Sequence, residues 1–167
     1  MKKFLLAIGL VLGAGSSMAQ SKVAHVNSQT LLDTLPSRKV AIVKLQEFES
    51  NGVKELQEME ADFNAAVAKY QAGAADMSPV IVKIEEEKLM KKQQALQERE
   101  QSLNAEMQAY SEELNTPILG MVQKAVKVVS ERMKINYVID ESVTLYFGGG
   151  LDITDEVIVE LLKMDKE

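Results

Sequence analysis

The sequence predicts an α+β protein in which a long antiparallel helical hairpin projects from a small β-sheet body. Two helix-periodic runs fill more than half of the chain and are separated only by the short break QAGAADMSP, Gln71 to Pro79. Strand-like pieces lie outside that hairpin on both sides: KVAHVN (Lys22 to Asn27) before it, NYVID (Asn136 to Asp140) and TLYF (Thr144 to Phe147) after it. The composition agrees: 5% aromatic residues, no tryptophan and no cysteine favour long helices over a large globular core.

The first 19 residues read as a signal peptide: Lys2-Lys3, an apolar run from Phe4 to Leu12, then GAGSSMAQ, with cleavage between Ala19 and Gln20. The apolar run is shorter than the roughly 20 residues that span a bilayer. The expected mature protein is exported and soluble. Without cysteine it can carry neither a disulfide, a thiolate metal site nor a lipid-attachment cysteine. Losing Lys2 and Lys3 leaves 17 basic against 25 acidic residues, a charge of −8, which opposes attraction to nucleic acid or anionic membrane.

KVAHVN alternates as a short strand, and Ser28 to Leu35 can form one or two helical turns before Pro36, a residue suited to a helix start. From Ser37 to Ala72 apolar residues recur at helical spacing: Val40, Val43, Phe48, then Leu56, Met59, Phe63, Val67 and Tyr70. Gly52 weakens this helix by roughly 1 kcal/mol relative to alanine and marks a bend. Gly73 ends it; Ser78 caps the next helix and Pro79 takes its first position. Leu89, Leu96, Leu103 and Tyr110 follow at intervals of seven, as Leu56, Phe63 and Tyr70 do in the first arm. Folding about the turn sets Tyr70 near Pro79 and Phe63 near Glu86 in a coiled-coil hairpin. Gln93 and Glu100 thin its seam, so the arm is expected to be flexible and anchored at one end.

Thr116-Pro117 predicts a kink, because proline removes a hydrogen bond and disfavours helix at the residue before it. Beyond it Ile118, Val122, Ala125, Val129 and Met133 form a denser stripe that is expected to be buried. The two later strands flank Glu141-Ser142, and Gly148-Gly149-Gly150 suit a loop with positive φ. A closing helix is capped by Asp152 or Thr154 and turns Val157, Ile158, Leu161 and Leu162 inward. The organisation expected is 1–19 signal peptide, 20–36 with 115–167 body, and 37–114 arm with its tip near 71–79. Three short strands and one buried helix make too small a core, with exposed strand edges, so copies are expected to join.

The signal peptide followed by KVAHVN, the charged hairpin and the ordered string PILGMVQKAVKVVSERMKINYVIDESVTLYFGGGLDITDEVIVELL resemble the Skp/OmpH family of periplasmic chaperones. The resemblance covers the whole chain. It implies a homotrimer whose sheets join into one body, with Ala24, Val26, Val138, Ile139, Leu145 and Phe147 on the body strands. It also implies an ATP-independent holdase that encloses unfolded outer-membrane proteins between helical tentacles and passes them towards the assembly machinery. The chain departs from the basic members of that family in being acidic.

The charge is uneven. Glu47 to Asp62 holds six acids against one lysine, whereas Ala65 to Ala95 sets Lys69, Lys83, Lys88, Lys91 and Lys92 against four acids. A solvated helical surface with pairs such as Glu87 with Lys91 accounts for the tip charges. A sharper reading makes Met77, Val80, Ile81, Val82, Lys83, Lys88, Lys91 and Lys92 client contacts. Nothing indicates an enzyme or a cofactor: His25 is a lone strand-edge histidine, the triple glycine lacks a phosphate-loop context, and a strand end and a helix cap account for Asp140 and Asp152 without calcium. An envelope scaffold using the hairpin as a strut is the alternative function; it requires a tightly packed seam.

Overall fold

The structure, a computed structural model, describes residues 21–166; the signal peptide and the Ala19–Gln20 junction lie outside the described residues. Strand β1 (Val23–Val26) leads into helix α1 (Ser28–Thr34), and the arm follows as α2 (Pro36–Gly73) and α3 (Pro79–Met133) around a 3-10 turn at Ala74–Asp76. Strand β2 (Tyr137–Asp140), a 3-10 turn at Glu141–Val143, strand β3 (Leu151–Asp152) and helix α4 (Thr154–Met164) complete the chain. At 1.5 Å per residue the 38 residues of α2 and the 55 of α3 extend about 57 and 82 Å. The extra length of α3 runs back into the body.

The sheet has the order β2-β1-β3, and both outer strands run parallel to β1. β1 is therefore central, and His25 is not at a strand edge. The long hairpin and the turn from β2 to β3 supply the crossovers that parallel neighbours need. One sheet face, with Ala24 and Val26, packs on a layer formed by α1, α4 and the body end of α3. Leu31, Leu35, Val129, Ile153, Val157 and Leu161 are its largest fully buried side chains.

Local chemistry explains the junctions. The Asn27 carboxamide oxygen accepts from Thr30 N at 2.9 Å to cap α1, and Ser78 accepts from Ile81 N at 3.4 Å to cap α3 ahead of Pro79. α3 ends on Lys134 at φ 55°, where Ile135 N donates to Ser130 O at 2.9 Å and satisfies a terminal carbonyl. Asp165, just past α4, accepts from Ser37 N at 3.1 Å and places a carboxylate at the positive end of α2.

Three further expectations are corrected. Thr144 to Phe147 is not a strand: Thr144 N and Oγ1 turn back onto Glu141 O and Asp140 O, and Leu151–Asp152 takes the free edge of β1. Gly149 and Gly150, at φ 142° and 145°, make that return possible. α3 is not interrupted at Pro117, and the Asn115 and Thr116 side chains just before it donate to Ser111 O and Glu112 O at 2.7 and 2.6 Å. The seam of α2 runs through Ala41, Leu45, Phe48 and Gly52, which leaves Val40 and Val43 exposed. Finally, Tyr70 meets Glu86 rather than Pro79, because the 3-10 turn and the first turn of α3 are taken up by the tip and long side chains cross the seam diagonally.

Candidate functional site

The arm's seam is densest near the body and thins outward. Ala41 and Ile118 are buried, and Phe48 stacks on Tyr110 with centroids 5.2 Å apart at 44°. Next Leu103, only 8% exposed, inserts against Gly52. A Cβ on Gly52 would lie 2.8 Å from Leu103 Cδ2 and 3.1 Å from Cγ, so the absent side chain is the hole that accepts the leucine. Gly52 is a packing position, not a bend. Among the described residues, none beyond this pair towards the tip is fully buried.

Polar links hold the outer arm. Arg99 reaches across to Glu55 at 2.9 Å and along its own helix to Glu106 at 3.0 Å. Hydrogen bonds to Glu55 and Glu106 raise the guanidinium pKa further, while Ser102 Oγ and Arg99 hold the Glu106 carboxyl below the usual carboxylate range. Tyr70 donates to Glu86 Oε1 at 3.0 Å, and that bond raises its phenol pKa. Each is an exposed interaction of small individual strength, sensitive to salt. Gln93 and Glu100 are exposed, so the seam has no apolar contact from either.

At the tip Val80 and Ile81 are 68% and 44% exposed, Val82 is half-buried, and Met77 packs its methyl beside Gly73. Lys83, Lys91 and Lys92 are exposed, and Lys88 pairs with Glu85 at 2.6 Å. Ile84 and Met90, which the sequence reading passed over, are exposed as well. Their signal was available: the leucines of α3, counted at intervals of seven, put the seam at positions 82 and 89, and neither Ile84 nor Met90 lies on it. Val40, Ile42, Val43 and Val53 carry exposed apolar surface to the body end of α2.

The body presents a second apolar surface. Ala24 and Val26 are buried and Val138 packs against the core, whereas Val23, Tyr137, Ile139 and Leu151 are exposed on the sheet. The following loop adds Val143, Leu145, Tyr146 and Phe147; Leu145 is fully exposed. A cavity of about 310 Å³ opens here between Val23, Ile139, Phe147 and the glycines. His25 lies in its wall, with Nδ1 2.7 Å from Glu141 Oε1 and its ring against Phe147 at 5.1 Å. The Thr154 hydroxyl and N–H hold the Asp152 carboxyl below its ordinary range, with burial opposing and His25 assisting. Burial pushes the Asp140 carboxyl up, but donors from Ser28 and Ser142 outweigh it.

This arrangement has known counterparts. Residues 22–161 match the family model described as outer membrane protein (OmpH-like). The chain belongs to the OmpH-like family. The chaperone protein Skp of Escherichia coli K12 is 31% identical over 164 residues, covering 96% of this chain and 99% of Skp. The Skp protein of Photorhabdus laumondii is 28% identical over 165 residues, with the same coverage. The crystal structure of an outer membrane chaperone (OmpH-like) from Caulobacter crescentus superposes with a TM-score of 0.76 over 87% of this chain and 86% of its own, at 16% identity. That likeness is one of fold.

Within this OmpH-like chain the expected residues therefore fall into separate groups. Val80, Ile81 and the tip lysines share the outer arm surface, and Ile139, Leu145 and Phe147 share the exposed body surface. Ala24 and Val26 instead support the sheet from its core side. Among the described residues no helix is long and apolar enough to cross a membrane.

Proposed function

We propose that this protein is a periplasmic, ATP-independent holdase that binds unfolded outer-membrane β-barrel proteins between the arms of three associated copies. The Skp relatives are chaperones rather than enzymes, and their similarity extends over nearly the whole chain. The observation that carries the reading is the outer arm: Val80, Ile81, Ile84 and Met90 are exposed on helices whose outer seam has no fully buried residue. An unfolded membrane protein offers apolar segments that such side chains can cover, each contact weak enough to exchange.

Three arms facing one enclosed space multiply those contacts by raising the local concentration of binding surface. Joining copies through Val23, Tyr137, Ile139 and the 143–147 loop covers apolar surface that a single chain leaves in water, and occupies the sheet edges. The number three is carried over from the family resemblance. In this organisation 20–36 with 115–167 is the shared body, 37–114 the arm, and the signal peptide is removed after Ala19. Release follows when insertion into the membrane offers the client more burial than the arms do, after delivery to the outer-membrane assembly machinery.

The acidic shafts suit this role, because like charge keeps three arms apart while the tip stays close to neutral. The scaffold alternative needs a seam packed along its whole length, and packing that stops at Gly52 and Leu103 speaks against a strut. The test dilutes a urea-unfolded β-barrel protein into buffer and follows light scattering. Suppression reaching its plateau near three chains per client supports the proposal; no suppression at any ratio overturns it.

A further inference from the structure

The only histidine of the chain is not isolated in space. His25 lies at the middle of the sheet, opposite Asp152 of β3, and Glu141 follows the end of β2. One ligand atom from each of the three lies within 4.8 Å of the other two. The His25 and Glu141 side chains are only 16% and 17% exposed, and Asp152 opens the group to solvent.

Each member is held by a second group. Asn27 Nδ2 donates to Glu141 Oε2 at 2.8 Å, leaving Oε1 towards the imidazole. Thr154 N and Oγ1 donate to Asp152 Oδ1 at 2.9 and 2.6 Å. Phe147 packs along the imidazole, and Gly150 approaches so closely that a Cβ would lie 3.1 Å from its Cδ2. Orienting hydrogen bonds of this kind are what metal ligands carry behind them. Among the described residues neither Glu141 nor Asp152 pairs with a lysine or arginine, so two carboxylates converge on one imidazole with no fixed cation between them.

We propose that His25, Glu141 and Asp152 bind one divalent transition-metal ion per chain, with Zn²⁺ the ion that the donor set fits best. One nitrogen and two carboxylate donors leave a fourth position for water, a set that Zn²⁺ accepts; the imidazole suits a transition metal, whereas Ca²⁺ and Mg²⁺ favour all-oxygen shells. Bonds of about 2.0–2.1 Å put tetrahedral ligand atoms about 3.3 Å apart. The 2.7 Å contact opens slightly and the wider separations close through side-chain rotation. Bound there, the ion joins β1 to a segment 116 residues later and to β3, closing the loop that contains the whole arm. Its role is to hold the body together, because an ion that binds only the folded chain stabilises it.

The test is calorimetric titration of the chelator-stripped, full-length exported chain with ZnCl₂, and with CaCl₂ and MgCl₂ for comparison. The expected result is one Zn²⁺ per chain, weakened at least about tenfold by His25→Gln and by Glu141→Gln, and unchanged by Glu98→Gln on the exposed arm. Co²⁺ should give the visible absorption of a tetrahedral site in the wild type and not in His25→Gln. Zn²⁺ should also raise the wild-type melting temperature, a readout that remains if His25→Gln does not fold; Asp152→Asn then serves as the second ligand variant. Absence of Zn²⁺ heat, equal affinity in wild type and folded ligand variants, or tighter Ca²⁺ than Zn²⁺ binding at the same stoichiometry overturns the proposal. None of these outcomes bears on client binding, so the site and the chaperone reading fail separately.

Discussion

Gly52 and Leu103 mark where the packed base of the arm gives way to its loose outer part, and a double-mutant cycle at this pair measures that boundary. Gly52→Ala brings two opposing effects. Alanine stabilises a helix interior by about 1 kcal/mol over glycine. Its methyl, however, would lie 2.8 Å from Leu103 Cδ2 and 3.1 Å from Cγ, and overpacking of this kind costs about 1–3 kcal/mol. The net expectation is a destabilisation of about 0–2 kcal/mol. Leu103→Ala alone removes a side chain that is 8% exposed and costs about 2–5 kcal/mol, near the lower end because exposed helices can close on the gap. In the Leu103→Ala background the clash is gone, so Gly52→Ala should reverse sign and stabilise by about 1 kcal/mol. The coupling is therefore about 1–3 kcal/mol. Urea unfolding followed by circular dichroism supplies all four stabilities, at one fixed chain concentration because association contributes to each. Additivity within about 0.5 kcal/mol, or stabilisation by Gly52→Ala in the wild type, would refute the knob-and-hole reading.

Three further outcomes are expected. Asp152→Asn should lower stability by about 1 kcal/mol at pH 7, measured with chelator present, because Asp152 accepts two hydrogen bonds at the start of α4. Its folded pKa is depressed, so this contribution is present above the unfolded carboxylate value of about 3.9 and is lost as pH falls through the lower folded value; a difference undiminished at pH 2 contradicts an ionised cap. Replacing Val80, Ile81 and Ile84 together by serine should weaken client binding about tenfold while leaving the thermal melt nearly unchanged, since these side chains are exposed; unchanged affinity in a fluorescence titration removes the tip from the mechanism. Neutralising Lys83, Lys88, Lys91 and Lys92 to glutamine should weaken the same binding at low salt and have less effect at high salt, and a salt-independent result argues against charge at the tip.

The helical hairpin was legible because its signals are local. Ser78-Pro79 starts α3, leucines at intervals of seven mark its seam, and the stripe from Ile118 to Met133 differs visibly from the arm before it. The inner seam of α2 was less legible, because Ala41 and Gly52 occupy positions where a search for large apolar residues finds none, and Val40 and Val43 stand beside them. Glycine there reads as a helix defect until Leu103, 51 residues later, is placed against it. TLYF has the composition of a strand, but strand formation needs an edge, and the choice between Thr144–Phe147 and Leu151–Asp152 is made by β1 and the glycine loop. His25 looked solitary for the same reason. Its partners come from two other strand ends, and no spacing rule connects residues 25, 141 and 152.

The proposed function requires copies of this chain to join at a small body and to hold one unfolded client among their arms. Light scattering coupled to size exclusion, on residues 20–167 with and without an unfolded outer-membrane β-barrel protein, tests this most directly. The predicted masses are three chains alone and three chains plus one client. A single chain at both, with the client lost to aggregation, would contradict it.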